Sequence, residues 1–127
     1  MASVVLDASA LLVLLHAERG FEAVAATLPG AAVSTVNLSE VVGKLAERGM
    51  PPKLIRAALL GLGLEIHPFD AEMAFVAGEL RPKTRARGLS LGDRACLTLG
   101  IFLSRPVVTA DRSWRNLGVG VKVTVVR

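Results

Sequence analysis

Short apolar runs alternate with stretches of helical periodicity along the whole chain. The apolar runs predict strands at residues 3–6, 32–35, 64–67, 106–109 and 121–126. Between them, the sequence pattern predicts helices at residues 8–16, 20–28, 37–48, 51–60, 70–80, 91–103 and 112–117. This alternation predicts an α/β fold with a central, mostly parallel sheet of four to five strands and helices on both faces.

Polar residues with cap-forming side chains mark the starts of three of these helices. Asn37 and Ser90 are predicted N-caps, and each has an acid three residues later, Glu40 and Asp93, as in a capping box. Asp70 is predicted to cap the helix that follows it and to have no further role. The helix at 37–48 has the clearest apolar face, formed by Leu38, Val41, Val42 and Leu45.

Length and composition narrow the class of protein. A chain of 127 residues has room for one core, so residues 1–127 are predicted to form a single domain. The single cysteine, Cys96, excludes an intrachain disulfide and is expected to be a buried hydrophobe in a reducing compartment. Asp7 interrupts the apolar N-terminus, and no apolar run reaches the roughly 20 residues of a membrane span, so a cytoplasmic protein without a membrane partner is expected.

The chain is basic, with a net charge of +4, which fits a polyanionic partner. Four of the basic residues fall in one exposed run before the helix at 91–103, where contact with a nucleic-acid backbone is plausible: Arg81, Lys83, Arg85 and Arg87. The hydrophobic fraction of 52% predicts a deeply buried sheet or an apolar face reserved for a partner. Trp114 is expected in the core or at an interface.

Four acids are predicted to lie at the same edge of the sheet. Asp7 and Asp111 each follow a strand, and Glu40 and Asp93 lie in the first turns of helices that start at that edge. Carboxylates about 4 Å apart repel by roughly 4 kcal/mol at an effective dielectric near 20, so a cluster of four needs protons or cations. Oxygen ligands without a histidine or cysteine cluster favour Mg²⁺ or Mn²⁺ over zinc. Such an ion can activate water and stabilise the leaving oxygen of a phosphodiester.

Each of these acids also has a simpler interpretation as a helix cap. Asp7 and Asp111 could cap the helices that follow them, and Glu40 and Asp93 occupy capping-box positions. An acid at a helix N-terminus is stabilised by the helix dipole whatever else it does. Only the joint placement of the four distinguishes a site from four separate caps.

Four segments, in this order, resemble the motifs of PIN domains. They are residues 4–12 (VVLDASALL), 37–41 (NLSEV), 89–94 (LSLGDR) and 108–114 (VTADRSW). The last two are particularly similar to the toxins of VapC-type toxin–antitoxin pairs. The resemblance extends from about residue 4 to residue 125 and therefore covers nearly the whole chain.

The resemblance implies a PIN-like, Rossmann-like fold and Mg²⁺- or Mn²⁺-dependent cleavage of RNA. It implies that Asp7, Glu40, Asp93 and Asp111 are the catalytic, metal-binding residues. It also implies a homodimer, and inhibition by a cognate antitoxin protein whose C-terminal tail occludes the cleft.

Other side chains near the acids have open roles. Ser9 and Thr109 match positions where this family often places a hydroxyl near the metal, although hydroxyls also tighten turns. Arg112 could contact substrate phosphate or pair with a carboxylate, and Arg94 is expected to form an ion pair.

Three other functions compete with a ribonuclease. A receiver domain of a signalling relay has a similar length and fold, but it needs paired acids after its first strand, where this chain has Leu6 and Asp7. A catalytically inactive PIN-like binding module is disfavoured by the intact acids. A structure-specific DNA nuclease is the closest rival, because the sequence does not distinguish RNA from DNA.

Overall fold

A computed structural model describes residues 3–127 and contains one five-stranded parallel sheet. The strands are β1 (Val5–Leu6), β2 (Ala32–Ser34), β3 (Glu65–His67), β4 (Val107–Thr109) and β5 (Val123–Val125). Their order across the sheet is β3-β2-β1-β4-β5, and every neighbouring pair is parallel. β1 therefore lies at the centre of the sheet, with β2 and β3 on one side and β4 and β5 on the other, so β1 and β4 are side by side.

Within residues 3–127, seven α-helices connect the strands. They are α1 (Ala8–Leu15), α2 (Phe21–Thr27), α3 (Thr35–Glu47), α4 (Pro52–Leu60), α5 (Ala71–Glu79), α6 (Arg81–Thr84) and α7 (Leu91–Leu103). Asp70 caps α5 as predicted, because its Oδ1 accepts a hydrogen bond of 2.9 Å from the backbone N–H of Met73. None of the helices in residues 3–127 is long and apolar enough to cross a membrane.

The three central strands of the sheet, β1, β2 and β4, are buried on both faces, and the architecture confirms the predicted α/β class. Leu6, Val33 and Val108 point into a core cluster shared with α1 to α4, whereas Val5 and Val107 point into a second cluster shared with α7. Strand side chains alternate between the two faces, so a strand covered on both sides must be apolar at every position. This requirement explains why β1, β2 and β4 show no alternation of apolar and polar residues, whereas the partly exposed edge strands β3 and β5 do alternate.

The structure corrects two predicted helices. The helix predicted at 37–48 begins at Thr35, because the hydroxyl of Ser34, not the side chain of Asn37, accepts a hydrogen bond from the N–H of Val36. Asn37 therefore lies inside the helix, and the capping-box interpretation of Glu40 is wrong. The helix predicted at 112–117 is only a 3-10 turn over Arg112–Trp114.

The apolar residues that make up 52% of the chain lie partly in the core and partly on the surface. Val24 and Leu59 are among the apolar side chains that are buried in the core. Leu60 is 67% exposed and lines an apolar groove of about 270 Å³ between α3 and α4. Cys96 and Trp114 are fully buried, as expected from the sequence.

Candidate active site

The carboxylate of Asp7 is the most constrained side chain at the carboxyl edge of the sheet. It is 3% exposed, and its Oδ1 caps α1 by accepting a hydrogen bond of 2.8 Å from the N–H of Ala10. The hydroxyl of Thr109 donates to Oδ2 at 2.6 Å, and the hydroxyl of Ser9 lies 2.8 Å from Oδ1. Asp7 therefore caps α1 and also accepts hydrogen bonds from the hydroxyls of Ser9 and Thr109.

Burial raises the pKa of Asp7 from its ordinary value of 3.8 to about 6. The hydrogen bonds from Thr109, Ala10 and Ser9 lower this pKa, and the negative charge of Asp93 raises it. Burial therefore outweighs three favourable hydrogen bonds. An Asp7 anion in this position is destabilised unless a positive charge approaches it.

Thr109 connects Asp7 to Asp111. Its hydroxyl donates to Asp7 and accepts a hydrogen bond of 3.0 Å from the backbone N–H of Asp111. Ser9 makes a parallel link, because its hydroxyl accepts a hydrogen bond of 2.9 Å from the N–H of Ala110. Both hydroxyls thus fix the backbone after β4 relative to the first acid. Asp111 itself is exposed and caps the following 3-10 turn through the N–H of Ser113.

Glu40 is held by α7 and by a neighbour in its own helix. The side-chain amide of Asn37 donates to Glu40 Oε1 at 2.9 Å and to the backbone carbonyl of Gly92 at 3.0 Å. A Cβ atom added at Gly92 would overlap the carboxylate of Glu40. Only a glycine at this position allows the carboxylate to lie against the first turn of α7, at the residue that precedes Asp93.

If these acids carry out the cleavage that the sequence resemblance implies, Gly92→Ala should displace Glu40 and lower kcat by about 10-fold, because small displacements of active-site groups have large effects on rate. The measurement is steady-state cleavage of a labelled oligonucleotide. Gly43→Ala is the matched control, since Gly43 lies in α3 with nothing within 4 Å of an added Cβ. That variant should retain full activity and gain about 0.5–1 kcal/mol of stability. Equal activity of the two variants would contradict the role assigned to Gly92.

Asp93 forms the capping box predicted from the sequence. Its Oδ2 accepts a hydrogen bond of 2.9 Å from the N–H of Ser90, and the hydroxyl of Ser90 accepts one of 3.2 Å from the N–H of Asp93.

One turn further along α7, burial raises the pKa of the Cys96 thiol, and the charges of Asp7, Asp93 and Glu40 raise it further. Three of the four acids are therefore near enough to one buried atom for their charges to act on it.

None of the four acids forms an ion pair within 4 Å with a lysine, arginine or histidine of residues 3–127. In that part of the chain the ion pairs join other residues: His67 with Glu65, Arg105 with Glu65, and Arg127 with Glu18. The acids therefore hold negative charge at one edge of the sheet without compensation from basic side chains. In the same range, no three Asp, Glu, His or Cys side chains form a closed cluster that could hold an ion as they stand.

The donor atoms at this edge are of the chemical type that binds a hard divalent cation. All of them are carboxylate, hydroxyl or amide oxygens, which Mg²⁺ and Mn²⁺ prefer. Asn37 is 1% exposed, and its Oδ1 is a buried acceptor without a partner among the described residues. The fit of Glu40 against Gly92 is a second specific feature, because it reserves space for a carboxylate.

The arginines around the site behave differently from one another. Arg94 does not form the expected ion pair: it is 6% exposed and donates to the carbonyl of Ala77, near the C-terminus of α5. Cations are favoured there by the helix dipole. Arg112 donates from Nε to the carbonyl of Arg127 at 3.1 Å and makes no ion pair with a carboxylate of residues 3–127.

Arg87 has a structural role that the exposed basic run did not indicate. Its guanidinium donates to three carbonyls in the segment after Asp111, those of Ser113 at 2.8 Å, Arg115 at 2.5 Å and Asn116 at 3.3 Å. One side chain of the basic run therefore fixes the loop that follows the fourth acid. The other three basic residues of the run remain exposed on the surface.

Sequence reasoning missed the contributions of Asn37 and Gly92. Asn37 was assigned to a helix cap, and Gly92 was interpreted only as part of a motif. An amide three residues before an acid in the same helix places both on one face, which was a usable signal for Asn37. The close approach at Gly92 involves residues far apart in sequence and had no local signal.

Comparison with known proteins places the chain in a family. Its sequence matches the PIN domain over residues 4–120. No curated protein sequence matches significantly. A toxin–antitoxin complex from Klebsiella pneumoniae has a similar fold, with a TM-score of 0.77, 19% identity and coverage of 98% of each chain.

Two further solved structures have the same fold. DNA-bound VapBC from Salmonella typhimurium has a TM-score of 0.75 and 19% identity, with full coverage of both chains. VapBC-5 from Mycobacterium tuberculosis has a TM-score of 0.62 and 24% identity, and covers 100% of this chain and 99% of that one. At these identities the likeness shows the fold alone. The match over residues 4–120, however, covers most of the chain, and the chain therefore belongs to the PIN-domain family.

Proposed function

We propose that this protein is a Mg²⁺- or Mn²⁺-dependent endoribonuclease and the toxin of a VapC-type toxin–antitoxin pair. The observation that carries the proposal is the set of carboxylates at the carboxyl edge of the sheet, which have no basic partner within residues 3–127. Membership of the PIN-domain family supports it. So does the likeness in fold to toxin–antitoxin proteins.

Asp7, Glu40, Asp93 and Asp111 would hold the ion and carry the catalytic function. When bound, a divalent ion supplies Lewis acidity, which activates water and stabilises negative charge on a phosphodiester. Oxygen atoms dominate the donor set, which suits this role better than a zinc site.

The remaining polar residues would position these acids. Ser9 and Thr109 restrict Asp7 to one orientation and tie it to the backbone of Asp111. Asn37 orients Glu40, and Ser90 orients Asp93. Catalytic side chains whose orientation is fixed before the substrate arrives need less reorganisation during the reaction. Arg112 would contribute by contact with the phosphate backbone.

The proposal includes the partners that the resemblance implies. We expect a homodimer in the cytoplasm that binds a cognate antitoxin across the cleft. The similar structures from Klebsiella pneumoniae and Salmonella typhimurium are toxin–antitoxin assemblies, and the second is bound to DNA. Light scattering of the purified chain, alone and with the product of an adjacent small reading frame, measures both assemblies. A monomer that binds no such product would exclude this part of the proposal.

The test of the enzymatic proposal is cleavage of a panel of single-stranded RNAs with Mn²⁺. Cleavage that EDTA abolishes and Mn²⁺ restores is the expected result. Structured DNAs belong in the same panel, because a structure-specific DNA nuclease is the closest alternative. Cleavage of DNA alone would replace the RNA assignment, and binding without any cleavage would identify an inactive PIN-like module.

A further inference from the structure

We infer that Arg19, Arg112 and Arg127 form a binding subsite for a backbone phosphate of single-stranded RNA, next to Asp111. The inference rests on the proposed function, which it extends by assigning residues that hold the substrate. Of the three arginines, only Arg112 is marked by the sequence motifs. Arg19 follows α1, and Arg127 follows β5.

The subsite is an open cleft of about 630 Å³ at the carboxyl edge of the sheet. That volume falls in the range of about 300–1,000 Å³ that is typical of small-molecule sites. The cleft is lined by Ser9, Arg19, Ala110, Asp111, Arg112 and Arg127. Ser9 and Asp111 belong to the hydrogen-bond network of the acids, so the cleft is continuous with the candidate active site.

The three guanidinium groups are largely unneutralised. In residues 3–127, Arg19 makes no hydrogen bond or ion pair, and Arg112 uses only Nε, for the carbonyl of Arg127. Arg127 has one long contact of 3.7 Å with Glu18, and both side chains are more than two-fifths exposed. Such a contact is weak in water. Asp111 supplies the one side-chain carboxylate that lines the cleft, and it forms no ion pair within 4 Å with any of the three arginines.

Three guanidinium groups that line one cleft attract an anion, and their geometry matches that of phosphate oxygens. Repulsion from the four acids would otherwise keep a polyanion away from this edge. A positive cleft directly beside them places one phosphate on basic groups while its neighbour along the strand lies over the carboxylates. RNA with unpaired bases can follow such a path because its backbone is flexible.

The test is the salt dependence of RNA binding in EDTA, where no metal-dependent cleavage occurs. Fluorescence anisotropy with two labelled RNA oligomers of different sequence compares the wild type with the double variant Arg19→Ala/Arg127→Ala. We expect affinity to fall at least about 10-fold for both sequences, and the slope of log K against log salt to shrink by about 0.7, the value for one lost phosphate contact on a single strand. In Mn²⁺, KM should rise about 10-fold with kcat changed less than about 2-fold, because uniform binding is lost.

Arg56→Ala is the matched control, because it removes an exposed arginine that lines the apolar groove beside α4 and not the cleft. Thermal unfolding checks that all variants are folded. If the wild type cleaves RNA while the double variant keeps its KM and salt slope, the phosphate subsite is wrong and the nuclease proposal stands. If the double variant loses binding but the wild type cleaves nothing, the subsite stands and the nuclease proposal fails.

Discussion

Asp93→Asn should lower Mn²⁺-dependent RNA cleavage at least about 100-fold, the scale of loss found when one electrostatic or metal-binding group is removed from an active site. The substitution removes one negative charge at the first turn of α7, near both Asp7 and Cys96. An amide oxygen can still accept the hydrogen bond from the N–H of Ser90, so the helix cap is largely retained. The expected loss of cleavage would therefore result from removal of the charge and not from unfolding of the protein.

Two variants separate these effects. Ser90→Ala removes the hydroxyl that caps α7 but keeps the backbone N–H that binds and orients the Asp93 carboxylate, so it should cost about 1 kcal/mol of stability and little activity. Asp70→Asn makes the same chemical change at the exposed cap of α5 and should leave cleavage unaltered. Full activity of Asp93→Asn, or an equal loss in Ser90→Ala, would remove Asp93 from the catalytic set.

The sequence predicted the fold closely because its local signals agree with the tertiary structure. Parallel strands covered on both faces must be apolar throughout, so runs such as 106–109 were visible without alternation. Ser90 and Asp93 form a local cap, and α7 begins at the predicted residue. The predicted start of α3 was wrong because two residues, Ser34 and Asn37, could cap this helix. The side-chain amide of Asn37 instead binds Glu40 and the carbonyl of Gly92, and the hydroxyl of Ser34 caps the helix.

The acids of the candidate site could be predicted from the sequence, but the residues that position these acids could not. Asp7 and Asp111 follow neighbouring strands, so topology alone places them at one edge. The hydroxyl of Thr109 reaches Asp7 across 102 positions of sequence, and no periodicity encodes such a contact. The same is true of the cleft, where Arg19 and Arg127 meet only because β4 and β5 pair at the edge of the sheet beside α1. A residue whose contacts are close in sequence can be recognised from its spacing, whereas a residue whose contacts lie far away along the chain cannot.

Asp7→Asn should stabilise the metal-free protein at neutral pH by up to about 3 kcal/mol, since a pKa raised from 3.8 to about 6 corresponds to about two units of 1.36 kcal/mol each. Between these two values the folded protein retains a proton on Asp7 that the unfolded chain has lost. Stability due to this group is therefore greatest below pH 4, falls as pH rises to about 6, and is constant above that. The neutral amide has no charge to bury and should lack this slope.

The measurement is urea unfolding of both proteins in EDTA between pH 4 and 7.5, and the quantity of interest is the difference between their free energies of unfolding. That difference should grow from near zero at pH 4 to its full value above pH 6. Added Mn²⁺ should raise the stability of the wild type and not of the variant, because a ligand that binds only the folded state stabilises it. A difference independent of pH would mean that burial does not govern Asp7. If the variant is more stable yet inactive, the buried carboxylate is retained at a cost in stability because the reaction needs its charge.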